Sequence, residues 1–196
     1  MPPDTYPAPD PNATEDKDWL ANYQPAKPKA PKQRLVIMAV AVGVVLSIII
    51  LIISSLGKGP NIEQQLHAAT ASQQEIVRVA GLGLSTDNAR SSTKELAATV
   101  SAVSNSNLQQ LLKLTGELSK EETAAATDAT TDTELATAAQ TNSFDTTWPE
   151  VMTEEITALN ATLTQLYDDA SQTEIKDTLS LAYENNKQLL DALAKK

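Results

Sequence analysis

The chain holds 196 residues and is acidic, with 15 Lys+Arg against 25 Asp+Glu, no cysteine, one histidine and one phenylalanine. Without cysteine there is no disulfide framework, thiolate metal site, cysteine nucleophile or lipoprotein anchor, and a lone His67 is too few for a zincin pair or a helical di-iron site. The acidic balance also argues against nucleic acid as a partner, because that surface needs clustered Lys and Arg to release counterions.

Composition divides the chain into three parts. Eight of the ten prolines lie in residues 1–34, no charge occurs from Leu35 to Gly57, and the net charge of -10 falls on residues 57–196. Residues 1–34 are rich in Pro, Ala, Asp and Lys and have almost no large aliphatic side chains, so burial cannot offset the entropy of ordering the backbone. A disordered, Pro-rich cytoplasmic tail is expected there. Its one apolar cluster, Trp19, Leu20 and Tyr23, would share a face of a short helix. That cluster reads either as a docking motif for a cytoplasmic partner or as an interfacial anchor resting among lipid headgroups.

Residues 35–56, LVIMAVAVGVVLSIIILIISSL, run twenty-two positions without a charge, and fifteen of them are Leu, Ile or Val. At about 1.5 Å per residue such a helix reaches roughly 33 Å, enough to cross a bilayer. It is too long and too uniformly apolar for a buried core helix. The 34-residue prefix argues against a cleaved signal peptide and for an uncleaved signal-anchor. Lys27, Lys29, Lys32 and Arg34 flank its N-terminal side, whereas only Lys58 lies close on the other. The positive-inside rule therefore predicts a single-pass protein of the cell membrane with its N-terminus in the cytoplasm and residues 57–196 outside it. Ala39, Gly43 and Ser47 recur at i, i+4 and i+8, a small-residue face on which two copies would pack as a homodimer, although a few small residues produce the same spacing by chance.

Residues 57–196 show helical spacing throughout and no sustained alternation of strand type, which predicts an all-α, up-and-down bundle of four to five helices. The first helix is expected from about Asn61 to Leu82, with Ile62, Leu66, Ala69, Ile76 and Ala80 along one stripe, stopped by Gly81, Gly83 and the polar residues 85–88. The second carries Leu96, Val100, Val103, Asn107, Leu111, Leu114 and Leu118. Its SNSN segment, 104–107, would either interrupt it or place Asn107 as a register-fixing polar site in a long seam. Residues 119–143 have few large apolar side chains and read as a peripheral helix or loose connector. Capping-box spacing at Ser119/Glu122 and Thr131/Glu134 favours a helix from about 132 to 141.

The last fifty residues are the most regular. Thr147-Trp-Pro-Glu150 predicts a cap with Pro149 in the first turn, followed by Met152, Ile156, Leu159, Leu163 and Leu166 to about Ala170. Ser171/Glu174 predicts a second capping box, followed by Ile175, Leu179, Ala182, Asn186, Leu189 and Leu193. These two helices should form an antiparallel hairpin.

Few residues suggest chemistry. Glu63 and His67 are four apart on one helix face, and Asp168, Asp169 or Glu155 would have to complete a metal site; an exposed Glu-His pair is the simpler expectation. Asp128, Asp132 and Glu134 lack the glycine of an EF-hand loop and read as a solvated face. Phe144, Trp148, Tyr167 and Tyr183 are the domain's aromatics, and Trp148 would either line a small-ligand pocket or plug the end of the bundle. The Asn160 sequon falls in a predicted helix and is expected to be fortuitous. No catalytic, cofactor or metal residues are assigned. The functional expectation is a non-enzymatic membrane-anchored interaction or scaffold module with protein partners outside the cytoplasm. The alternative is a ligand-sensing ectodomain coupled through the span to a cytoplasmic partner.

Overall fold

The computed structural model describes residues 61–195. The expected tail, the apolar run 35–56, the basic flank, the Ala39/Gly43/Ser47 face and the Trp19/Leu20/Tyr23 cluster all lie outside the described residues. Among the described residues no helix is long and apolar enough to cross a membrane.

The described residues form an all-α domain of six helices: α1 (Ile62–Ser85), α2 (Ser91–Thr115), α3 (Lys120–Ala126), α4 (Ala129–Gln140), α5 (Phe144–Asp169) and α6 (Thr173–Ala194). Helices α1 and α2 form one hairpin and α5 and α6 another. The chain between them carries α3 and α4 alongside α1. The contacts that join this connector to α1 and the turn after it rise together along both segments: His67 meets Glu122, Glu75 meets Asp128, Arg78 meets Asp132 and, past the end of α1, Asn88 meets Ala139. The connector therefore runs in the direction of α1 and returns the chain from the end of α2 to the start of α5.

The core follows the helical stripes. Every member of the α6 stripe from Ile175 to Leu193, Asn186 included, is buried. On α5 Met152, Ile156, Leu159, Leu163 and Leu166 are buried as the spacing requires. Helix α3 buries nothing, and α4 buries only Thr131, Leu135 and Ala138.

Several boundaries differ from expectation, each for a physical reason. Helix α1 continues through Gly81 and Gly83, because Gly83 is buried in the core and packing outweighs its poor intrinsic propensity. A Cβ at Gly83 would lie 2.6 Å from Trp148 Cε2 and 2.8 Å from Ala97 Cβ, so only glycine permits this approach. Helix α2 passes uninterrupted through 104–107, with Ser104 and Asn107 both buried. Helix α4 begins at Ala129 and not at 132, because Asp128 Oδ1 accepts from Thr130 N at 2.7 Å and supplies the cap; Thr131 is packed inward instead. Its end is a left-handed turn at Asn142 (φ 55°), with Ser143 N donating to Ala138 O at 2.9 Å.

Helix α5 begins at Phe144, so Pro149 lies inside it and not in its first turn. Burial of Phe144 and Trp148, four apart on one face, extends the helix back beyond the position Pro149 would favour. Helix α6 starts at Thr173 after Gln172, with no side-chain cap, so the Ser171/Glu174 box does not form. The Ser119/Glu122 box does: Ser119 N donates to Glu122 Oε2 at 2.7 Å and Glu122 N donates to Ser119 Oγ at 3.1 Å.

Candidate functional site

Two polar arrangements and one groove stand out, and each polar arrangement joins elements distant in sequence. The first is an asparagine chain through the core. Asn185 Nδ2 donates to Asn107 Oδ1 at 2.7 Å, Asn107 Nδ2 to Asn186 Oδ1 at 3.1 Å, and Asn186 Nδ2 to Asn160 Oδ1 at 3.0 Å. It ties α2, α6 and α5 at one level. Asn107 thus sits in the seam, and Asn160 is a buried bonding partner inside a helix, unsuited to carry a glycan. Near this layer Gln73 and Ser104 are fully buried, and neither side chain has a hydrogen-bond partner. Such groups carry a desolvation cost that no hydrogen bond offsets.

The second arrangement surrounds Arg78. Its Nε and Nη2 donate to the Glu75 carboxylate at 2.7 and 2.6 Å, and Nη1 donates to Asp132 Oδ1 at 2.6 Å. Glu75 is buried, and its Oε1 also accepts from Asp128 N at 3.2 Å. The hydrogen bonds it donates to Glu75 hold the guanidinium in its charged form, with Asp132 adding to the effect against the opposing cost of burial. Glu155, half-buried on α5, faces the same cluster. Burial first, and then the charges of Glu75 and Asp128, push its carboxyl up to about 7, while Arg78 partly opposes the shift. Glu134 and Glu154 are also raised, chiefly by burial and secondly by neighbouring carboxylates. Asp128 and Asp132 are therefore structural groups and not a merely solvated face.

At the other end of the connector His67 Nδ1 lies 2.9 Å from Glu122 Oε1. Hydrogen bonds from the Ser119 amide and hydroxyl lower the Glu122 carboxyl, and His67 contributes less. The expected partner of His67, Glu63, has its backbone amide on the Asn61 cap. Glu155 belongs to the Arg78 cluster, and among the described residues no group of three or more His, Asp or Glu is arranged to hold a metal ion.

The third feature is a groove of about 220 Å³ on the α5/α6 hairpin, lined by Leu163, Thr164, Tyr167, Leu179, Ser180 and Tyr183. Lys176 Nζ stands 4.7 Å from the centre of the Tyr167 ring. Trp148 is not part of this groove. It is fully buried, and its Nε1 donates to Val79 O at 3.0 Å, so it closes the core between α1 and α5. The aromatic residues thus split into a core pair, Phe144 and Trp148, and a surface pair of tyrosines.

Sequence reasoning missed Glu75, Arg78, Gln73 and Ser104. Glu75 and Arg78 are three apart and carried a local ion-pair signal, but their connection to Asp128 and Asp132 depends on the path of the connector. No family model, no curated protein and no solved structure matches this chain.

Proposed function

We propose that the chain is a non-enzymatic, single-pass membrane protein whose helical domain serves as an interaction or scaffold module outside the cytoplasm. The observation that carries this reading is the uncharged run 35–56, bordered by Lys27, Lys29, Lys32 and Arg34 on one side and followed by an acidic domain on the other. The helical domain adds support: its polar groups are spent on joining its own elements, as in the Asn107–Asn186 bond and the Arg78 cluster. In this reading the small residues Ala39, Gly43 and Ser47 offer a face for a second copy, and the tail cluster Trp19, Leu20 and Tyr23 is the contact on the cytoplasmic side.

A second reading, a ligand-sensing ectodomain, is favoured by the groove between Tyr167 and Tyr183, whose mixed apolar and hydroxyl-bearing lining suits a small molecule with an apolar body and one or two hydroxyl-bonding groups. Thermal unfolding of the full chain in detergent micelles, measured against a panel of small aromatic and polar compounds and divalent cations, separates the two. The scaffold reading predicts an unchanged midpoint throughout. A concentration-dependent rise with one compound, lost in Tyr183→Ala, would transfer the function to sensing.

A further inference from the structure

The long helices are tied in register at two levels. Asp145 at the start of α5 bonds to Arg90 and Thr93 at the start of α2. Fifteen residues further along α5, Asn160 is joined through Asn186 to Asn107, which is fourteen residues past Thr93. Helices α2 and α5 therefore descend side by side, and the α5/α6 turn at 170–172 reaches the same end of the bundle as the close of α2 and the first turn of α1. The groove on the α5/α6 hairpin belongs to this end. Leu163, its member farthest from the turn on α5, is six residues from Asp169, about 9 Å along the helix.

The same end is the one tied to the apolar run. Between Leu56 and Asn61 stand only Gly57, Lys58, Gly59 and Pro60, a reach of at most about 17 Å when fully extended. A run that crosses the bilayer thus holds this end of the bundle close to the headgroups, where an amphiphile can pass from the leaflet into the groove while part of its chain stays in the bilayer. The lining selects among amphiphiles. Leu163 and Leu179 are buried and form an apolar floor, while Thr164, Tyr167, Ser180 and Tyr183 carry hydroxyls, and none of the six is charged. Exposed carboxylates prevail around it: Asp168 and Asp169 follow Tyr167, and Asp177 and Glu184 lie within four residues of Ser180 on α6. The nearby cations are engaged, Lys176 over the Tyr167 ring and Lys187 with Glu184. Such a rim repels an anionic headgroup, and Lys176 already covers the tyrosine face that a cationic headgroup would use.

We propose that the groove binds an uncharged, hydroxyl-bearing lipid of the adjoining leaflet, with its chain against Leu163 and Leu179 and its hydroxyls bonded to Tyr167, Ser180 and Tyr183. The bound lipid seats the α5/α6 hairpin on the membrane and fixes the tilt at which the domain presents its outer surface. The proposal rests on the reading of residues 35–56 as a membrane span. It is independent of whether the domain acts as a scaffold or as a sensor.

Photo-crosslinking of the full chain in phosphatidylcholine nanodiscs tests it, with three probes that carry the same diazirine-labelled acyl chain: a monoacylglycerol, a lysophosphatidylglycerol and a lysophosphatidylcholine. The monoacylglycerol should label the segment 163–183 about tenfold more than either phosphate-bearing probe. Ser180→Trp and Thr164→Trp fill the groove from its two walls at exposed helical positions, and each should remove this label while circular dichroism shows unchanged helix content. Should one of them lose its helices, the other carries the comparison. Label that persists in a folded groove-filling variant would overturn the proposal, as would equal or stronger labelling by a phosphate-bearing probe or label confined to residues 35–56. A chain that does not enter the nanodiscs at all would overturn the membrane span, and the lipid site with it.

Discussion

Gly83 and Trp148 occupy one notch: the indole fills the space a side chain at residue 83 would need, at a distance of 2.6 Å from the position of its Cβ. The same ring donates to Val79 O one turn earlier, so α1 and α5 are fixed to each other both laterally and along their axes. Gly83→Ala should therefore destabilise the domain by about 1–3 kcal/mol, the overpacking cost exceeding the gain in helix propensity. Gly81 is the internal control, since a Cβ there meets nothing within 4 Å. Gly81→Ala should stabilise by roughly 0.5–1 kcal/mol. Urea titration of both variants checks the pair, and a stabilising Gly83→Ala would show that the notch is not filled as described.

Asp145 caps a helix to which it does not belong. Its Oδ1 accepts from Arg90 N at 2.9 Å and from Thr93 Oγ1 at 2.7 Å, at the start of α2, where Arg90 itself offers no cap. The Arg90 guanidinium lies 3.3 Å from the other carboxylate oxygen but is largely exposed, so the cap and not the ion pair carries the energy. Asp145→Ala should cost about 1–2 kcal/mol and Arg90→Ala less than about 0.5 kcal/mol by denaturant unfolding.

The asparagine chain predicts strong non-additivity. Asn186→Ala removes the middle of the chain, leaving the buried Asn160 Oδ1 without its donor and Asn107 Nδ2 with only the 3.5 Å bond to Ala182 O, at a cost of about 2–4 kcal/mol. Once Asn186 is gone, Asn107→Ala should cost much less than it does alone, with a coupling of roughly 0.5–3 kcal/mol in the double-mutant cycle. Additive losses would mean that the two side chains do not share a bond.

Global stability should fall as pH rises through the range in which Glu155 ionises. Its folded value, about 7, lies above the ordinary 4.5, so the folded state binds more protons between these limits than the unfolded state. This contribution is fully present below about 4.5, is lost through 7, and amounts to roughly 1–3 kcal/mol. Glu155→Gln should flatten that part of the profile. Opposing it at the acid end, Glu122 has a lowered carboxyl through its cap on Ser119, a contribution lost as pH falls below the usual carboxylate range.

The apolar stripes of α5 and α6 were legible residue by residue, because burial repeats there at helical spacing, and Asn107 and Asn186 stood out as polar members of such stripes. Helix ends were less legible wherever a tertiary contact overrode a local signal. Gly83 reads as a stop until Trp148 is placed against it, and Thr147 reads as a cap until Phe144 is found buried. The Arg78 cluster was hidden for a different reason. Its partners are 53 and 54 residues away, and the connector that brings them together has too few apolar residues to reveal its path. Likewise no pattern distinguished Tyr167 and Tyr183 as groove residues from Trp148 as core, since all three occur at helical positions and only the bundle's geometry decides which face is covered.

Anchorage by residues 35–56, with the helical domain outside the cytoplasm, is the central functional claim, and protease access to intact cells carrying an epitope after Lys196 tests it most directly. The account predicts that the epitope sediments with membranes and is removed by protease added outside, after permeabilisation where an outer membrane intervenes. Charge reversal of Lys27, Lys29, Lys32 and Arg34 should reduce the fraction removed. A soluble epitope, or one that remains protected until the cytoplasmic membrane itself is broken, would contradict the orientation and the function proposed from it.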